Sequence, residues 1–215
     1  VAAAKGAVRV VEYLLEHASP TFAMLDVDGH MPVHLAAMGN HVGVLQAMQS
    51  SSAEMLSALT KSGLTPAHVA SRSGSADAVR FLLEHARASF ETASADGWLP
   101  VHMAACLSDV SVLRAIQSVS VEMLHSGTKS GETAAHIATS MGCVQAVEYL
   151  MEASPGSLTM LDGHGYAPVH RAALENGVLV LQAILSRIPG MISLPSGCGQ
   201  TPIHVAAFAG SLKSI

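Results

Sequence analysis

Histidine recurs at His34, His68, His102, His136, His170 and His204, a spacing of 34 residues that holds across every interval. Two residues before each stands proline, at Pro32, Pro66, Pro100, Pro168 and Pro202, with Ala134 the exception. Two residues after each comes alanine, at Ala36, Ala70, Ala104, Ala138, Ala172 and Ala206. A fixed period of this length marks an array of small units. One such unit cannot bury its own apolar face, so neighbours must stack. The frame predicts a single array over 1–215, with full repeats at 28–61, 62–95, 96–129, 130–163 and 164–197. Partial repeats are expected at 1–27 and 198–215, because Val1 falls just after the place of a seventh histidine and Ile215 stops short of a complete second helix.

The local chemistry of one unit predicts its parts. In Ser62-Gly63-Leu64-Thr65-Pro66-Ala67-His68 the glycine permits a turn with positive φ. Thr65 can cap a helix, and Pro66 suits its first position, where a missing N–H costs nothing. That helix is expected to end at Gly74, with alanines where a neighbouring backbone comes close. In the next run Val79, Leu82 and Leu83 share one helical face. The fold class is therefore all-α, a solenoid of helix-turn-helix units with short β-hairpin or turn fingers. A histidine at the third helical position can reach back to the turn as Glu or Gln does in a capping box, its other nitrogen tying to a neighbouring loop.

A period of 34 also suits tetratricopeptide arrays, but their Trp, Gly-Tyr and terminal Pro pattern is missing here. Thr65-Pro66-Ala67-His68-Val69-Ala70 and Thr201-Pro202-Ile203-His204-Val205-Ala206-Ala207 instead resemble the ankyrin-repeat family, with weaker copies from Met31, Leu99, Thr133 and Ala167. The departure lies after the second helix. Ala18-Ser19-Pro20-Thr21-Phe22 and Ala153-Ser154-Pro155-Gly156-Ser157 replace the family's usual run and are one residue longer. The resemblance implies a stack that binds folded proteins or peptides on a concave face of turn tips and first helices.

Composition excludes several other classes. A net charge of −5 argues against a nucleic-acid binder, whose footprint is basic. Half the chain is hydrophobic, which excludes disorder, yet no stretch approaches the roughly 18 apolar residues of a membrane span. Cys106, Cys143 and Cys198 form no Cys-x-x-Cys pair, and free thiols point to the cytoplasm or nucleus. The repeated histidines sit on helices about 8–10 Å apart, too far to share zinc at bonds of about 2 Å. His17, His30, His41, His85, His125 and His164 show no His-Glu-x-x-His pairing, and no nucleophile elbow or phosphate loop is present. No metal, cofactor or catalytic set is expected.

A second period of 68 residues overlies the first. Repeats centred on His68, His136 and His204 carry a threonine cap (Thr65, Thr133, Thr201) and a terminal glycine (Gly74, Gly142, Gly210). The alternate repeats carry Met31, Leu99 and Ala167 at the cap, and Asn40, Ser108 and Asn176 at the end. Duplication of a two-repeat block explains this, as does a partner touched at every second repeat. One column is broken: the residue after the histidine is Leu35, Val69, Met103, Ile137 and Val205, but Arg171 in the fifth copy. That column is expected to face the next repeat. Glu175, one helical turn on, is a potential partner for Arg171, as are solvent and a bound protein.

The expected binding face combines finger tips with the ends of the first helices. Its residues are Met38, Arg72, Trp98, Cys106, Leu107, Met141, Tyr166, Leu174 and Phe208. Trp98 and Tyr166 stand two repeats apart in sequence. Two functions remain in view: a non-enzymatic module that binds a protein or peptide, and a regulatory or targeting segment of a larger enzyme, channel or signalling protein.

Overall fold

The computed structural model describes residues 1–18 and 22–210. Ser19, Pro20 and Thr21 of the first long link, and Ser211 to Ile215, lie outside the described residues. Among the described residues there are twelve α-helices and no strand. The fingers are therefore hydrogen-bonded turns and not paired strands. The chain forms two compact units, Val1–Met103 and Ala104–Ile215.

In the first unit short and long helices alternate: α1 (Val8–His17), α2 (Pro32–Met38), α3 (Val42–Ser51), α4 (Pro66–Arg72) and α5 (Ala76–His85). Helix α6 (Pro100–Ala105) runs across the boundary. The short α2 packs on α4, and the long α3 packs on α1 and α5. Between α2 and α4, Ala36 and Ala70 are fully buried, small enough for close approach. Val44, Leu45, Met48, Val79 and Leu82 fill the space between the long helices, fully shielded from water. Burial of each such side chain is worth about 1.5–3 kcal/mol.

The second unit repeats this plan with α7 (Ser111–Val119), α8 (Ala134–Ser140), α9 (Val144–Ala153), α10 (Pro168–Leu174), α11 (Val178–Arg187) and α12 (Pro202–Ala209). Helix α10 packs on α8 and α12, and α11 packs on α9. The longer links after the second helices are taken up by 3₁₀ turns, Arg87–Phe90 in the first unit and Pro155–Leu158 in the second. Each turn drives one large side chain, Phe90 or Leu158, into the core.

One orientation differs from the sequence expectation. Val205, in the last described repeat, is only 1% exposed, whereas Ile203 is 52% exposed. The column after the histidine therefore faces the preceding repeat, and the residue before the histidine faces the following one. The 3.6-residue helical turn places positions two apart on opposing flanks.

Candidate protein-binding face

Each finger closes on its own side chain. Thr60 Oγ1 accepts the Leu64 N–H at 2.9 Å, and Ser94 Oγ accepts that of Trp98 at 3.1 Å. In the second unit Thr128, Asp162 and Ser196 do the same for Glu132, Tyr166 and Gln200. The turn needs a left-handed residue, supplied by Gly63 at φ 73°. A Cβ there would also meet the Ala95 nitrogen at 3.1 Å. Adjacent fingers are tied through backbone: Ala95 N–H donates to Ser62 O at 3.1 Å, and Gly163 N–H donates to Ser130 O at 2.7 Å.

The histidines lock helix to finger. His68 Nδ1 accepts the Thr65 N–H at 3.1 Å, while its Nε2 lies 2.9 Å from the Trp98 carbonyl. His136 does the same with Thr133 and the Tyr166 carbonyl. These contacts define the neutral tautomer with its proton on Nε2. Burial lowers the proton affinity of His34, His68, His136 and His170, outweighing the carbonyls that favour the charged ring. His204 is exposed.

The expected contact residues fall into two groups. In the first unit Met38 and Arg72 are exposed at the ends of α2 and α4, while Trp98 is half-buried. The Trp98 ring packs edge-on against His102, with centroids 6.1 Å apart. In the second unit Met141 is 57% exposed and Phe208 is 87% exposed. Cys106, Leu107, Tyr166 and Leu174 are half-buried. Burial pushes the Cys106 thiol up to about 11, with Cys143 adding to the rise. Tyr166 lies against His170 at 6.0 Å. The two aromatics thus offer one edge to solvent and rest the other on the lock histidine of their own repeat.

Residues 44–122 match the family model for ankyrin repeats, in three copies. Over those residues the chain is built of ankyrin repeats. No curated protein matches it in sequence. Among solved structures, the ankyrin repeat domain of human ASB11 aligns over 98% of this chain and 94% of its own, at 22% identity and a TM-score of 0.73. The ankyrin repeat domain of Bcl-3, a member of the IkappaB family, aligns over 99% and 96%, at 21% identity and a TM-score of 0.76. At such identities the likeness speaks for the fold.

In the second unit Arg171 is paired, though not with Glu175, which is exposed. Its Nε donates to Asp162 Oδ2 at 2.6 Å, and its Nη2 lies 2.6 Å from Asp162 and 3.1 Å from Glu132. Burial raises the Asp162 carboxyl, but the Tyr166 and His164 N–H groups and Arg171 outweigh it and leave it below its usual value.

Sequence reading passed over the finger-closing column: Asp26, Thr60, Ser94, Thr128, Asp162 and Ser196. Its signal was the same 34-residue period, hidden because three residue types share one job. Asp26, Asp28 and His30 bring three potential metal-ligand atoms within 4.8 Å on an exposed tip. Asp26 Oδ1, however, already accepts the His30 and Asp28 N–H groups.

Proposed function

We propose that these ankyrin repeats form a non-enzymatic interaction module that binds a protein or peptide across finger tips and first-helix ends. The observation that carries this reading is the exposure of two large apolar side chains, Met141 and Phe208, at the C-terminal ends of short helices. Met141 directly follows the last residue of α8, and Phe208 is the last but one of α12. A bulky apolar side chain held in water on a rigid support is what a binding site presents. Tyr166, half-covered and in the same unit, adds an aromatic edge of the kind in which interface energy concentrates.

The test is affinity capture from native extract by the chain, beside a Met141→Asp, Phe208→Asp variant and a Tyr166→Ala variant. The reading expects a defined protein that both variants release or bind at least tenfold more weakly, with helicity unchanged. A captured set indifferent to both variants would show that binding uses another face.

A further inference from the structure

The 68-residue period has a chemical consequence at the histidine locks. In the repeats with a threonine cap, a hydroxyl lies on the same ring nitrogen as the backbone N–H. Thr65 Oγ1 is 2.8 Å from His68 Nδ1, Thr133 Oγ1 is 2.9 Å from His136 Nδ1, and Thr201 Oγ1 is 2.7 Å from His204 Nδ1. In two of the alternate repeats the cap offers that nitrogen a backbone N–H and no hydroxyl: Met31 to His34 at 3.2 Å and Ala167 to His170 at 3.2 Å.

A proton added to Nδ1 turns an acceptor into a donor. Facing an amide N–H alone, the new N–H has no acceptor, and an unmatched buried polar group costs about 1–3 kcal/mol. Facing a threonine, it finds a hydroxyl oxygen. Thr65 can donate its hydroxyl hydrogen bond to the Ser89 carbonyl, which lies 3.2 Å from Oγ1, while the same oxygen accepts from the imidazolium. The opposite nitrogen donates in both states, and a second finger carbonyl favours the charged ring in the alternate repeats, opposing the cap, so the test changes the cap alone. His34 has two of them within reach, Ala58 and Leu64, and His170 has Leu194 and Gln200.

We propose that the two kinds of repeat are acid-tolerant and acid-labile locks, so that mild acid loosens every second finger first. The cleanest comparison is His34 with His68, which lie in one unit and are both fully buried. His30 is the titratable group facing His34, its ring 6.1 Å away and itself 3.9 Å from Asp26. Burial and the Trp98 carbonyl set His68. In the second unit Asp162, Arg171 and Glu132 surround His136, and Asp162 faces His170, so ion pairs there add to the effect of the cap.

The test titrates the ring C–H resonances of His34 and His68 in the whole chain, with Met31→Thr and Thr65→Val as a reciprocal pair. Met31→Thr should raise the titration midpoint of His34 by about half a pH unit or more, and Thr65→Val should lower that of His68 similarly. Thr65→Ser, which keeps the hydroxyl, should leave His68 unmoved. If acid unfolds the chain before the rings titrate, the acid-unfolding midpoint is read instead. Met31→Thr should then move it to lower pH, and Thr65→Val to higher pH than Thr65→Ser. Midpoints that ignore the cap, or that move in the opposite direction, overturn the proposal.

Discussion

Arg171 reaches back to Asp162 through two contacts of 2.6 Å and passes over Glu175, which shares its helical face one turn on. The choice follows from where the column points. Facing the preceding repeat, the guanidinium lies beside the finger that Asp162 closes and beside Glu132 of the finger before it. The Asp162 side chain has no exposure and Arg171 has 14%. An ion pair this enclosed is costly to break from one side.

Arg171→Met should therefore destabilise the chain by about 3–5 kcal/mol, mostly through the carboxylate it strands. Adding Asp162→Ser, which restores the residue that closes the finger at Ser94 and Ser196, should recover most of that loss. Denaturant melts of the two singles and the double close the cycle. A double mutant as weak as Arg171→Met alone would show that the pair is not the source.

The pH dependence has a definite sign. Burial lowers the proton affinity of His68 and His136 in the folded chain, so the unfolded chain takes up protons first. Their contribution is complete above the unfolded value of about 6.5 and is lost as pH falls from there towards the folded value. Gln at both sites can still accept the cap N–H. His68→Gln with His136→Gln should cost about 1–3 kcal/mol per site at pH 7.5, yet lose less further stability between pH 6.5 and 5 than the parent. Equal losses would mean that these rings do not titrate in that window.

Gly63 and Gly199 separate backbone strain from crowding. Both have positive φ, but only at Gly63 would a Cβ meet a neighbour, the Ala95 nitrogen at 3.1 Å. Gly199→Ala should cost about 1–2 kcal/mol, the penalty of a left-handed residue with a side chain. Gly63→Ala should cost more, because the finger-to-finger bond from Ala95 to Ser62 must also shift. Thermal melts that rank them in the reverse order would contradict this.

The sequence carried the architecture because every stacking position obeys one period. His34, Pro32 and Ala36 recur in register, and that alone fixes helix starts and close approaches, though not which neighbour the column after the histidine faces. It carried less of the proposed binding face. Periodicity shows that Trp98 and Tyr166 stand at finger tips, but the lean of their rings onto His102 and His170 depends on tertiary packing. The partner of Arg171 was hidden for the same reason: Asp162 and Glu132 come close only when fingers of successive repeats align. Spacing along one helix pointed instead to Glu175, the only carboxylate visible in one dimension.

Uncovered stacking surface leads to the last prediction. Val10 is 51% exposed, whereas Val44, Val112 and Val180, at the same place in later repeats, are fully buried. Ile203 is likewise open where Val33, Val101 and Val169 are covered. These side chains have the shape of a repeat-to-repeat interface without a neighbour, and apolar surface of that kind promotes association. Val10→Lys with Ile203→Lys should leave the melting temperature nearly unchanged, since exposed substitutions usually cost within about 0.5 kcal/mol. It should also reduce concentration-dependent association in sedimentation velocity. Val44→Lys, placing the same charge in the covered version of the site, should unfold the chain. If Val10→Lys is as damaging as Val44→Lys, the first long helix depends on that face for its own packing. If association persists in the double variant, some other surface drives it.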